Sequence, residues 1–338
     1  MIDKKSLEAA LTTPSDRLLN DLSSLEGDII LLGVGGKMGP SLALLARTAL
    51  DKLGKTNRVI GVSRFSHKEL QTELVSGGIE TIAADLLDDE QLQKLPDIPN
   101  VLYMAGTKFG TYGNESFTWA MNAYLPGRVA EKYRNSKIIV FSTGNVYPPT
   151  RVDGGGADEG TDTGPIGEYA QSCLGRERIF EYFSKQYQIP MLIYRLNYAI
   201  DLRYGVLLDI AKTVLEERPV NLNMGYANVI WQGDANEIAL RSLLHCETPP
   251  KVLNVTGPEM VSIQWLAMEF GKRLNKTVLF EGEAQSTALL NNAAECHRLF
   301  GYPSVSLKQL IDWTCEWILA GNEDYGKPTH FQERTGNF

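Results

Sequence analysis

The stretch Asp28-Ile29-Ile30-Leu31-Leu32-Gly33-Val34-Gly35-Gly36-Lys37-Met38-Gly39, followed after Pro40 by Ser41-Leu42-Ala43-Leu44-Leu45-Ala46-Arg47, decides the fold. A short apolar run bounded by glycine reads as a buried strand, and the leucine- and alanine-rich segment after it reads as a helix. Gly33, Gly36 and Gly39 let the backbone turn tightly, approach a pyrophosphate without an intervening Cβ, and pack the new helix on its strand. Backbone N–H groups at the helix start then face the phosphates. Glycines also mark ordinary turns, but a turn between an apolar strand and an apolar helix favours a dinucleotide site. Lys37 and Met38 belong to the same turn and join the glycines as cofactor-binding candidates.

From this unit outward the pattern alternates. Strands are predicted at 28–32, 58–62, 80–84, 100–104, 137–141 and 191–195, and helices near 38–52, 68–74, 88–94, 117–134 and 166–186. Short β-branched runs separated by amphipathic helices predict an α/β fold, a doubly wound parallel sheet of Rossmann type covered on both faces. Its ligand crevice is expected at the carboxyl ends of the strands. After Arg195 the alternation breaks down, with helices at 207–217, 235–244, 263–274 and 307–320, and strands near 227–231 and 252–255. This predicts a smaller C-terminal substrate-binding region. The expected division is an N-terminal helical extension packed outside (1–26), a dinucleotide-binding domain (27–200), and a substrate-covering region partly interleaved with it (201–338). The polar, turn-rich tail from Gly321 to Phe338 is expected to be an extended surface segment.

With 338 residues, 43% hydrophobic and 22% charged, the chain has the composition of an ordinary globular protein with a large core. A net charge of −8 and the lack of a basic stripe argue against nucleic acid as a partner. Cys173, Cys246, Cys296 and Cys315 are scattered, so neither a disulfide framework nor a metal site is expected. Cys296-His297 is the one adjacent pair of metal-type residues, and an amphipathic helix from Asn291 to Phe300 explains it more simply. The segment Met1-Ile2-Asp3-Lys4-Lys5 begins no apolar leader, and no apolar run is long enough to cross a bilayer, so the expected setting is the cytoplasm, away from membranes.

Just past the second strand, Gly61-Val62-Ser63-Arg64 stands where an NAD-binding chain usually places an acid on the ribose 2′-hydroxyl. A hydroxyl and a guanidinium there suit a 2′-phosphate, with Lys37 adding charge, which favours NADP over NAD. The alternative is that Arg64 is a plain surface cation. Asp85 and Leu86 end the third strand, and Ala105 and Gly106 end the fourth, all at the crevice edge. Asp85 is a candidate acceptor for an adenine amino group, or else a helix cap.

The fifth strand ends in Ser142-Thr143-Gly144-Asn145-Val146-Tyr147, and Gly167-Glu168-Tyr169-Ala170-Gln171-Ser172-Cys173 follows downstream. With the glycine turn, these segments resemble the extended short-chain dehydrogenase/reductases, specifically the NAD-dependent epimerase/dehydratase type acting on sugars and nucleotide sugars. The resemblance spans about residues 28–320. It implies that Thr143 supplies the hydroxyl meeting the substrate and that Tyr169 is the acid/base, close to the cofactor. The family pattern is Tyr-x-x-x-Lys, whereas Cys173 stands at the lysine position, one turn beyond Tyr169 on the same helix face. A free phenol ionises near ~10, and a neutral thiol cannot lower that as an ammonium does. Arg176 is a candidate replacement, and Cys173 itself is either a nucleophile or a small buried residue.

The family arginine that meets a substrate phosphate is missing from Ala227-Asn228-Val229-Ile230-Trp231-Gln232-Gly233-Asp234, which points toward a smaller sugar or sugar acid. Asn145, Asn197, Tyr198 and Trp231 are candidates for the substrate wall, with burial in the core as the alternative. Two functions remain open: an NAD(P)-dependent oxidoreductase, epimerase or dehydratase on a sugar-type small molecule, or an NAD(P)-binding sensor with little redox turnover. The resemblance also implies a homodimer; the spacing of Leu174, Ile179, Phe180 and Phe183 suits such an interface and would equally suit a face packed on the chain's own sheet.

Overall fold

The computed structural model describes residues 2–108 and 110–336; Asn337 and Phe338, the end of the predicted tail, lie outside them. Seven parallel strands form one sheet: β1 (Ile29–Leu32), β2 (Val59–Ser63), β3 (Glu80–Ala83), β4 (Asn100–Tyr103), β5 (Lys137–Thr143), β6 (Met191–Leu196) and β7 (Lys251–Val255). Their spatial order is β3-β2-β1-β4-β5-β6-β7, with Ile30 of β1 registered between Ile60 and Val101. The order reverses direction between β1 and β4, and that reversal opens the crevice above the strand ends.

Strand periodicity distributes the core. Ile29 and Leu31 point to the side covered by α2 (Asp16–Ser23), α3 (Gly39–Lys52) and α10 (Gln232–Arg241). Ile30 and Leu32 point to the other side, covered by α5 (Asp89–Lys94), α7 (Leu125–Lys132) and α8 (Gly167–Tyr187). A third core joins α9 (Val206–Leu215), α11 (Ile263–Leu274) and α13 (Leu307–Leu319) to α1 (Lys4–Thr12).

Three expectations change here and a fourth is refined. The N-terminal helices are not an outer extension: Leu18 and Leu22 are fully buried against the sheet layer, Leu7 and Leu11 lie in the C-terminal core, and Ser15 donates to Glu237 of α10. The predicted strand 227–231 is split, because Tyr226–Ala227 pairs with Val261–Ser262 while Ile230–Trp231 pairs with Ala199–Ile200. The predicted helix 117–134 is interrupted. After α6 (Glu115–Trp119) comes a π turn, Ala120–Tyr124, before α7 begins. Pro126 has no N–H for the carbonyl of Asn122 and its ring crowds that carbonyl, so the turn widens there.

The tail, finally, is the expected extended surface segment, but it is tied down at several points. Thr329 donates to Asp209 of α9 through both its N–H and its hydroxyl, Phe331 is buried in the C-terminal core, and Arg334 donates to Thr287. Gly336 is packed against Ile166 and Gly167 at the start of α8.

One buried ion pair joins these layers. Arg195, at the end of β6, donates to Glu177 of α8 from Nε and Nη2 at 3.0 and 2.6 Å, and from Nη1 to the Tyr147 hydroxyl at 2.6 Å. Ser142 of β5 donates to the same carboxylate at 2.5 Å, and Tyr147 donates to Asn254 of β7 at 3.0 Å. Removing one member leaves a buried charge unpaired. Glu177→Gln is expected to lower unfolding free energy by about 3–5 kcal/mol, measured by urea denaturation, with Glu177→Gln/Arg195→Met losing less than the sum of the single changes.

Candidate functional site

Gly33 leaves β1 with φ +95°, and a Cβ on it would sit 2.7 Å from the backbone nitrogen of Ala105, so glycine is required by both conformation and contact. Gly39 backs directly onto the Val34 carbonyl, closing the turn under α3. Gly36 differs. Its nearest contact for a Cβ is 3.6 Å away, within its own turn, and it faces a cavity. A Cβ there would occupy space that the fold itself leaves open. The N-cap of α3, Met38, makes no side-chain cap, so the first N–H groups of the helix are left to other acceptors. This cradle fits a pyrophosphate.

The cavity has a volume of about 360 Å³, within the range of small-molecule sites. Its walls come from the glycine turn (Gly33, Gly36, Lys37, Met38), the end of β5 (Thr143, Asn145), Tyr169 of α8, the segment Asn197–Tyr204, and Thr329 of the tail. Among the described residues, no carboxylate lines it, while Lys37 and Lys108 do.

Tyr169 and Thr143 are brought together as the sequence predicts. Their side chains share a hydrogen bond, and the Tyr169 hydroxyl also bonds the Cys173 thiol. Burial raises the phenol's pKa, with a smaller push from Cys173, while Arg176 and the Thr143 bond pull it down. Thr143 in turn accepts from the Asn145 N–H at 3.2 Å, which fixes the bend after β5. Cys173 is buried, and burial raises its pKa, which favours the thiol over a thiolate nucleophile.

Arg176 takes the lysine's place only through its charge, because its hydrogen bonds go elsewhere. Its Nη1 donates to the Phe141 carbonyl and its Nη2 to Asn122 Oδ1, both at 2.7 Å, directly beneath Gly106. Asn122, turned inward by the π turn, also accepts from the Thr107 N–H at 3.0 Å and donates to the Thr107 carbonyl at 2.9 Å. The strand-end loop Gly106–Lys108 is thereby held from two sides. Asn122 and Lys108 went unnoticed in the sequence. The cue for Lys108 was its place two residues beyond the small pair Ala105-Gly106 at a strand end; Asn122 gave none.

The remaining candidates scatter. Lys37 lays its ammonium on the Tyr204 ring, 2.8 Å from the centroid, and its charged neighbours are Lys108, Lys327 and Asp209 rather than Arg64. Burial and the other lysines lower it to about 7. Ser63 packs against Gly35, and Arg64 beside it is exposed at the end of β2. The Asp85 carboxylate accepts from the Leu87 N–H at 3.0 Å, shaping the turn into α5, which Asp88 caps; Leu86 is buried in the core. Asn197 is 2% exposed, lines the cavity, and has no partner for its amide nitrogen among the described residues. Tyr198 lines the cavity with φ 43°. Trp231 does not: it is buried edge-on to Trp313, 5.5 Å between ring centroids, in the C-terminal core.

The sequence profile of the NAD dependent epimerase/dehydratase family matches residues 29–200. The chain belongs to this family. Among solved structures, it is similar to Pal from Bacillus thuringiensis at 17% identity and TM-score 0.71, covering 87% of this chain and 100% of that one. UDP-glucuronic acid 4-epimerase from Bacillus cereus in complex with NAD matches at 19% identity and TM-score 0.70, covering 88% and 100%. UDP-glucose 4-epimerase from Thermotoga maritima with UDP-glucose matches at 17% identity and TM-score 0.68, covering 87% and 99%. No curated protein matches by sequence. Among the described residues, no helix is long and apolar enough to cross a membrane, and no group of His, Cys, Asp or Glu could hold a metal ion.

The two glycines of the family turn separate folding from binding. Gly33→Ala is expected to destabilise the fold, read as a lower thermal midpoint. Gly36→Val is expected to keep that midpoint and abolish dinucleotide binding, measured by isothermal titration with NAD and NADP.

Proposed function

We propose that the protein is an NAD(P)-dependent enzyme acting on a sugar, sugar acid or nucleotide sugar as an epimerase, dehydratase or ketoreductase. The observation that carries this reading is the Thr143–Tyr169 hydrogen bond in a cavity that the glycine turn also lines. Gly33, Gly36, Met38 and Gly39, with Ala105 beside Gly33 and Gly106 following it, would hold the dinucleotide. A nicotinamide bound there supplies a hydride acceptor or donor. Tyr169 takes the proton from a substrate hydroxyl in the oxidising direction and returns it to the carbonyl oxygen in the reducing one. Thr143 holds that oxygen by hydrogen bonding, and the unpaired amide of Asn197 offers a donor to a neighbouring sugar hydroxyl.

Ser63 and Arg64 support a preference for NADP, although the similar epimerase structures carry NAD. Arg64→Asp is expected to weaken NADP relative to NAD by about tenfold or more, compared by titration of each cofactor. Tyr169→Phe is expected to lose about 10²–10⁴ in turnover on a panel of UDP-sugars and sugar acids while keeping cofactor affinity. Full turnover in that variant would remove Tyr169 from the mechanism, and tight cofactor binding with no turnover on any substrate would favour the sensor.

A homodimer is part of the proposal, but not through the stripe read from the sequence. Phe180 is in the core, and Ile179 and Phe183 pack on Gly127 of α7 in the same chain. The outer face of these helices instead exposes Tyr124 and Tyr182, 60% and 61% accessible, together with Trp119 and Tyr187. Tyr124→Glu/Tyr182→Glu is expected to give a monomer in light-scattering measurements. The four free thiols suit the reducing cytoplasm as the working compartment.

A further inference from the structure

We propose that Lys108, carried by the loop after β4, supplies the positive charge beside Tyr169 that the family pattern places on the helix at the position of Cys173. This rests on the assignment of Tyr169 as acid/base. Lys108 Nζ lies 5.7 Å from the centroid of the Tyr169 ring, on the cavity side. It also acts electrostatically on Cys173, whose thiol bonds the Tyr169 hydroxyl. The ammonium therefore faces both the acid/base residue and the place left by the missing lysine.

Three features make this more than a lysine resting on a ring. The peptide before it is held at both ends, since Thr107 exchanges two hydrogen bonds with Asn122. Asn122 is itself fixed by Arg176, so the loop is anchored to α8, the helix that carries Tyr169. Arg176 donates to Phe141 and Asn122 and also favours the phenolate from within α8, whereas Lys108 brings its charge from the cavity side. Charged and titratable groups that face Lys108 include Lys37 from the glycine turn, and Tyr169 and Cys173 from α8. Burial lowers Lys108 to about 8, with Cys173 opposing the fall, so the lysine carries its charge at neutral pH. A cation near a phenol favours the phenolate over the phenol. A lysine five residues past the end of β4 thus takes over a function usually placed one helical turn from the tyrosine.

The test does not require the natural substrate. Protein grown with trifluorotyrosine, whose more acidic phenol titrates at lower pH, is followed by fluorine NMR, and the Tyr169 signal is assigned by its loss in Tyr169→Phe. At about 6 Å from the ring centroid and an effective dielectric of about 20, removing the charge in Lys108→Met shifts the fluorinated phenol upward by as much as roughly two pH units, provided it titrates below about pH 8, where Lys108 is charged. Lys108→Arg leaves it within about half a unit of the parent. Lys108→Met/Cys173→Lys, which returns the charge to the helix, reverses most of the shift. A titration unmoved in Lys108→Met overturns the proposal, as does a shifted one that Cys173→Lys fails to reverse. Failure of the acid/base assignment looks different: Tyr169→Phe then keeps turnover on the substrate panel, whatever the titration shows.

Discussion

The ion pair between Arg195 and Glu177 is the contact on which the site depends. It joins the end of β6 to the middle of α8, while Ser142 ties the same carboxylate to β5 and Tyr147 continues the network to β7. Glu177 lies about two helical turns after Tyr169, so fixing Glu177 fixes the depth and rotation at which Tyr169 meets Thr143. A hydrophobic contact in this position would allow α8 to slide or turn. The directional bonds of a guanidinium to a carboxylate permit one arrangement, and a buried charge left without its partner would be costly.

A second layer of polar contacts hangs from this frame. Arg176, one residue before Glu177, reaches across to the Phe141 carbonyl and to Asn122. Asn122 then orders Thr107, and Thr107 leads into Lys108. Helix α8 thus positions chemistry at two places: on its own first turn through Tyr169, and on a distant strand-end loop through Arg176. The cavity between them carries two lysines and no carboxylate among the described residues, an environment that favours negative charge on a ligand or on the phenol.

Much of this was legible from local pattern. The apolar run at Ile29–Leu32 and the glycines after it announced the parallel sheet and its crevice, and Thr143 and Tyr169 met as their contexts implied. What was not legible depends on long-range packing. Trp231 suited either the pocket wall or the core, and its packing against Trp313, far along the chain, decides for the core. Helices α1 and α2 looked peripheral because their buried faces are short, yet Leu7 and Leu22 belong to different cores. Arg176 advertised a charge, but only the fold reveals that its partners are a carbonyl on β5 and an amide on a helix interrupted near Pro126.

That interruption limits how the chain can change. A π turn holds one residue more than the α-turn it replaces, so the segments on either side of Ala120–Tyr124 are offset by about 100° from a continuous helix. A one-residue deletion within 115–132 would restore a regular helix and improve its hydrogen bonding, yet it would swing Asn122 away from Thr107 and Arg176. Surface loops absorb such length changes easily. Here the helix that is locally worse is the one that holds the site together, so drift in length should be tolerated around this helix far more readily than inside it.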